Sequence, residues 1–288
     1  MSPFPKNSKN PFMWNRFSKN IINTQREMYH NGRRQGYNHY EGRYNAPYSI
    51  GIELECVAPR EVELMPSNYF SYESDGSISG LGFGVEFVSM PIPHTLARRS
   101  EMWDGVCTWL EAKGFRSWEL GESTCGLHVH IGREVLGATS EERSENLGKL
   151  VYLYNNINDN VRKAIFGRPC GRWCNNDNLR TLNAINTLEG NVTKEAFTNV
   201  GNEKSAQRDR YFEINVTNPH TIEFRRGRGS VNAKRIAMVV AFCDLLCEYA
   251  SRTNKGKELN LQGFARYVKG LKKMEGHPLT NKLVEMGL

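Results

Sequence analysis

Residues 121–132 read GESTCGLHVHIG. Two of the chain's seven histidines stand one residue apart there, within an alternating apolar pattern. Alternation with a period of two marks a strand, because successive side chains point to opposite faces. His128 and His130 therefore share one face, while Leu127, Val129 and Ile131 share the other. The apolar face asks for a core. The imidazole face asks for a ligand or a charged partner.

The same division recurs on either side. In YSIGIELECV, Ile50, Ile52, Leu54 and Cys56 face one way, and Gly51, Glu53, Glu55 and Val57 the other. GVEFVSM at 84–90 presents Glu86 and is closed by Pro91 and Pro93. YFEINV and HTIEFRRG read as a strand pair turning at Asn218-Pro219. Its second member presents Glu223 and Arg225. One wet face is ordinary in an antiparallel sheet. Four strands that carry Glu, His and Arg, in place of Thr, Lys and Ser, point further. Carboxylates and imidazoles converging on one sheet face repel or lose hydration unless a cation sits among them. The pattern therefore predicts a polymetal site on a concave sheet face. A carboxylate-dominated ligand set favours Mg²⁺ or Mn²⁺ over Zn²⁺.

The remaining pattern supplies helices. Residues 100–113 read as one, stopped by Gly114. Thr139 and Glu142 fit a capping box that opens a long helix reaching about Phe166. Residues 167–209 read as irregular and polar. Residues 232–252 form the most apolar helix, and shorter helices close the chain. Strands and helices mix without regular βαβ alternation, so the expected class is α+β with a largely antiparallel sheet flanked by helices.

Composition sets the frame. The chain has 288 residues, 39% hydrophobic and 24% charged, which suits a globular protein with a full-sized core. No stretch approaches the roughly 20 apolar residues of a membrane span. No apolar leader with a cleavage site opens the chain. Seven cysteines without such a leader predict reduced thiols and a cytoplasmic setting. Cys125, Cys170, Cys174, Cys243 and Cys247 are read as buried thiols, in preference to a nucleophile or a zinc cluster.

The net charge is +7, and residues 1–45 hold eight Lys and Arg against two Glu, a net of +6. That leaves about +1 for residues 46–288. The chain is thus expected to pair a basic, flexible N-terminal extension (1–45) with a catalytic domain (46–288). Within the extension, Trp14, Phe17, Ile21 and Met28 could line a short amphipathic helix. YHNGRRQGYNHYEGRY interleaves aromatic and basic residues, as a nucleic-acid contact would. RRGRGS at 225–230 adds Arg226 and Arg228, expected to face solvent or phosphate.

GIELE, DGSISG with VEFVSMP, CGLHVHIG, and RYFEIN with TIEFR, in that order, resemble the amidoligase family. This family belongs to the carboxylate–amine ligase superfamily of glutamine synthetase and γ-glutamylcysteine synthetase. The resemblance covers roughly residues 48–250. It implies a curved antiparallel sheet of the glutamine synthetase type. It also implies an ATP-dependent ligase that makes an amide or isopeptide bond through an acyl phosphate, with ATP and two or more Mg²⁺ or Mn²⁺ ions. By position, Glu55 and Glu86 resemble the ligands of the metal nearest the acceptor carboxylate. Glu53, His128 and Glu223 resemble the ligands of the metal that bridges the ATP phosphates. His130 and Arg210 resemble nucleotide-phosphate contacts, with Arg208 the alternative to Arg210. Arg225 resembles the arginine that neutralises the transferring phosphoryl group, and Asp75 resembles the turn aspartate. No residue stands out as the base for the amine; Glu213, Asp75 and the 167–209 segment are candidates.

The substrates would be small-molecule or peptide carboxylates and amines. The resemblance also allows a phage-encoded protein acting in a host cytoplasm. Two rival readings remain: a metal-dependent hydrolase built on the His-x-His pair and its carboxylates, and an inactive relative that binds nucleic acid through the basic extension.

Overall fold

The computed structural model describes residues 47–59, 70–74, 77–78, 83–89, 91–118, 124–169, 171, 174–176, 179–188, 191–254 and 256–288. The basic extension, its expected amphipathic helix, Asp75 and Cys170 lie outside these residues. In chain order, strands β1 (Ser49–Ala58), β2 (Phe70–Ser74), β3 (Phe83–Ser89) and β4 (Ile92–Pro93) come first. Helices α1 (His94–Ala97) and α2 (Ser100–Ala112) and strand β5 (Gly126–Gly132) follow. Next come α3 (Ser140–Asn155), α4 (Asp159–Phe166), α5 (Arg180–Asn186) and α6 (Lys194–Ala206). After these, β6 (Ile214–Asn215), β7 (Thr221–Arg228), α7 (Ala233–Arg252), α8 (Leu261–Gly270) and α9 (Pro278–Glu285) complete the chain. The class is α+β, with largely antiparallel strands and flanking helices. Among the described residues, no helix is long and apolar enough to cross a membrane.

The chain falls into two compact units. The first runs to His130 and adds Gly227–Val240, and the second is Ile131–Arg226 with Ala241–Leu288. In the first unit the strand order is β2-β3-β1-β5, with β4 paired to β1. β1 and β3 run antiparallel, with Leu54 opposite Phe87 and Glu55 opposite Glu86. The apolar face of β1 (Ile50, Ile52, Leu54 and Cys56) is fully buried, as alternation predicts. Its core includes Trp103, Leu110 and Phe115, and Phe87 meets Phe115 edge-on at 5.4 Å. Burying one such side chain contributes about 1.5–3 kcal/mol.

The glycines of RRGRGS have a packing role in this unit. A Cβ on Gly229 would lie 2.3 Å from Ser117 Oγ and 2.9 Å from the Glu55 carbonyl oxygen. The Gly229 amide donates to the Cys125 carbonyl at 2.8 Å. Only a glycine lets the backbone come this close to β1.

In the second unit, β6 and β7 pair antiparallel, with Asn215 opposite Glu223. Two expectations change here. The helix from Thr139 has its capping box but does not reach Phe166 as one rod. It ends at Asn155, and Asn158 caps a separate α4 by accepting from the Asn160 amide at 2.8 Å. Asn156 follows α3 as its C-cap, and Asn158, two residues on, offers the backbone a side-chain partner that favours a new helix start over propagation.

Residues 167–209 are not irregular throughout: they contain α5 and α6. Thr193 caps α6, and Phe197, Val200, Gly201 and Lys204 form its buried stripe. Helices α3 and α6 cross where Gly148 meets Gly201; a Cβ on Gly148 would lie 1.9 Å from the Phe197 carbonyl oxygen. Farther along, Phe242 joins Phe166 and Phe264 in an edge-on aromatic chain at 5.5 Å each.

Candidate functional site

In the first unit, β1 and β5 face Glu53 toward both histidines. Glu53 Oε2 lies 3.0 Å from His128 Nδ1, and Glu53 Oε1 lies 3.1 Å from His130 Nε2. The shared face of His128 and His130 thus has a common carboxylate partner. Both histidines are buried, and Glu53 keeps partial exposure. Burial raises the Glu53 pKa, but the charges of His130 and His128 and their hydrogen bonds outweigh it. The carboxyl is held well below its ordinary value and stays ionised.

Glu55 is engaged differently. Its Oε2 accepts from the Gly126 amide at 2.5 Å, and its Oε1 lies 3.6 Å from His128 Nε2. The backbone register aligns three glutamates across neighbouring strands: Glu55 opposite Glu86, and Glu86 opposite Glu73. Glu73 was not singled out from the sequence, although FSYES alternates as IELEC does. Like charges directly opposite one another weaken a sheet unless something neutralises them.

Glu53, Glu86 and His128 each offer a ligand atom, and these three atoms lie within 4.8 Å of one another. Two carboxylates and an imidazole, taken in its neutral form, suit a divalent cation. The resemblance sets Glu53 with His128 and Glu223 and places Glu86 with Glu55; here Glu53 and His128 stand together and Glu86 joins them. Glu55 has one oxygen tied to a backbone amide.

In the second unit, Glu223 accepts from Asn215 Nδ2 at 2.5 Å and forms an ion pair with Arg225. Arg225 is buried and its guanidinium carbon stands 6.0 Å from the centre of the Tyr211 ring. The exposed Arg210 reaches the same ring at 5.5 Å. The two arginines named from the sequence as phosphate contacts therefore share one aromatic ring, an arrangement that lowers the cost of holding two cations close together. Arg208 is exposed.

Two residues have different surroundings from those expected. Arg226 faces neither solvent nor an open phosphate site. It is fully buried, with Nη1 2.9 Å from Glu213 and Nη2 2.8 Å from Asp159. Its alternation along β7 turns it away from the face of Arg225. Glu213, a candidate base, is buried and takes hydrogen bonds from the Tyr154 hydroxyl, Arg226 Nη1 and Arg162 Nη1. It is the centre of a charge-balanced network. Burial and the Glu213 charge push the Tyr154 hydroxyl well above its ordinary value, so it remains a donor. Cys125, Cys174, Cys243 and Cys247 are buried free thiols.

No protein-family model matches the chain, and no curated protein matches it.

Proposed function

We propose that the chain is an ATP-dependent carboxylate–amine ligase of the amidoligase type. The observation that carries the reading is the convergence of Glu53, Glu86 and His128, whose ligand atoms lie within 4.8 Å of one another, with Glu55 opposite Glu86 in the strand register. Carboxylate and imidazole atoms gathered in this way can share a hard divalent cation. The order of motifs along the sequence supports the rest. Glu53, Glu55, Glu86, His128 and Glu223 would hold Mg²⁺ or Mn²⁺, and the metal would offset the negative charge of the phosphates. His130, Arg210 and Arg225 would bind phosphate oxygens, with Arg225 neutralising the transferring group. An acid oxygen would attack the terminal phosphorus of ATP, releasing ADP and leaving an acyl phosphate. An amine would then attack the acyl carbon, releasing phosphate and a proton and forming the amide. The glutamine synthetase-like form of the sheet belongs to this same proposal.

A metal-dependent hydrolase is the second reading, favoured by the placement of the Glu53–Glu86–His128 group with His130 beside it. That chemistry needs neither ATP nor Arg225. Thermal unfolding separates the two. With Mg²⁺ and a non-hydrolysable ATP analogue at 100 times its dissociation constant, a ligase gains about 2.7 kcal/mol over Mg²⁺ alone. Arg225→Ala should lose that nucleotide-dependent gain and keep the gain from metal. A gain from metal with none from nucleotide in the unmodified protein would discard the ligase reading and leave the hydrolase. Once a substrate pair is found, Arg225→Ala should lower turnover by about 10²- to 10³-fold.

A further inference from the structure

We propose that the last helices of the second unit form a basic face that binds the phosphate backbone of nucleic acid, independently of the metal site. Residues 252–288 hold eight Lys and Arg against three Glu, a net of +5. With +6 on residues 1–45 and +7 in total, residues 46–251 carry −4. The near-neutral body is thus an average over an acidic stretch and a basic one.

The structure places the basic stretch on solvent. Lys257, Arg266, Lys269, Lys272 and Lys273 are all exposed. On α8, Gln262, Arg266 and Lys269 follow helical spacing on the wet side, while Phe264, Ala265 and Val268 are buried. Neighbouring charges leave this set in excess. Arg252 pairs with Glu248 at 2.8 Å, and Lys282 pairs with Glu285 at 2.9 Å. By count, these five exposed cations stand beside two further exposed acids, Glu258 and Glu275. Lys269 also donates to the Leu288 carbonyl at 2.9 Å.

The framework beneath these cations is fixed. Asn260 caps α8 through the Gly263 amide at 2.9 Å, and the Tyr249 hydroxyl donates to the Glu258 carbonyl at 2.5 Å. Met274 is buried, and its carbonyl accepts from Thr280 Oγ1 at 2.7 Å. Cations on a fixed backbone lose less entropy when they bind phosphates than cations on a free tail. An anionic membrane surface is disfavoured, because interfacial helices also present large apolar side chains. Here Phe264, Val268, Met274, Leu279 and Leu283 are buried, and Val284 is the one large apolar residue of this stretch that is exposed.

The test uses the full chain and labelled 20-base single- and double-stranded oligonucleotides, with anisotropy read across a salt series. Five phosphate contacts would weaken duplex binding roughly 500-fold between 50 and 200 mM salt. Replacing four cations together (Arg266→Gln, Lys269→Gln, Lys272→Gln and Lys273→Gln) should lower the logarithmic salt slope by about four. Any contribution of the N-terminal extension is the same in both proteins and cancels in this difference. Lys113→Gln with Lys163→Gln, exposed cations elsewhere, should leave the slope unchanged. The proposal is overturned by an unchanged slope in the fourfold variant or by absence of oligonucleotide binding. Binding to phosphatidylserine vesicles without oligonucleotide binding overturns it as well.

Discussion

Two buried or half-buried carboxylate clusters in this molecule use the same residue types to opposite ends. Around Glu213, the charges close on themselves: Tyr154, Arg162 and Arg226 bond to it, and Asp159 balances the second arginine. Around Glu53, three glutamates gather with two histidines, and both Glu53 and Glu86 keep partial access to solvent. The first cluster is complete without a ligand. The second brings carboxylate and imidazole ligand atoms close enough together to share a cation. A buried titratable group therefore says little by itself about function; the charge balance of its neighbours says more.

The largest effect should come from opening the closed cluster. Glu213→Gln leaves Arg162 and Arg226 buried beside a neutral amide. Breaking a buried pair from one side typically costs about 3–5 kcal/mol. Urea unfolding of the variant should show a loss of that size. A loss under about 1 kcal/mol would mean that water reaches the arginines, and the contrast between the clusters would fail.

The next effect is smaller and has the opposite sign. Mn²⁺ alone, at 100 times its dissociation constant, should stabilise the protein by about 2.7 kcal/mol. Glu86→Gln should remove most of that gain, because it takes one anionic ligand from the group with Glu53 and His128. Without metal the same variant should be as stable as the unmodified protein or slightly more so, since it relieves the Glu55–Glu86 register pair. Metal stabilisation that survives Glu86→Gln in full would place the cation elsewhere.

The open cluster was the more legible of the two in the sequence. His128, His130, Glu53 and Glu86 stand on alternating strands, and alternation alone assigns their face. Their convergence still needed the strand order, because period two fixes a face and not a neighbour. The closed cluster was opaque for that reason. Tyr154 lies on a helix, Glu213 in a short segment and Arg226 on a strand, with no common period to join them.

Local chemistry misled in two places. A capping box announces where α3 starts, but the Asn156–Asn158 break is visible only if each asparagine is weighed as a cap. Helix α6 hid in a polar stretch because its buried stripe includes Gly201 and Lys204. Averaging hid the basic C-terminal helices in the same way. The net charge of residues 46–288 is small only because its acidic and basic parts cancel.

The finest distinction between the clusters lies in their acid response. Asp159 is held below its ordinary value of 3.8, first by the hydrogen bond from Arg226, against the opposing effect of burial, and then by the charges of Arg226 and Arg162. A carboxyl with a depressed folded pKa adds stability that is fully present above its unfolded value. That stability is lost as pH falls through the folded one. Asp159→Asn removes the contribution at every pH. The stability difference between the unmodified protein and Asp159→Asn should therefore be constant from pH 7 to about 5 and shrink below about pH 4. Half-exposure keeps the effect small, and salt should reduce it further. Denaturant unfolding of both proteins between pH 7 and 2.5 measures it. A difference that stays level down to pH 2.5 would show that Arg226 is balanced by Glu213 alone, and would shrink the closed cluster to its buried members.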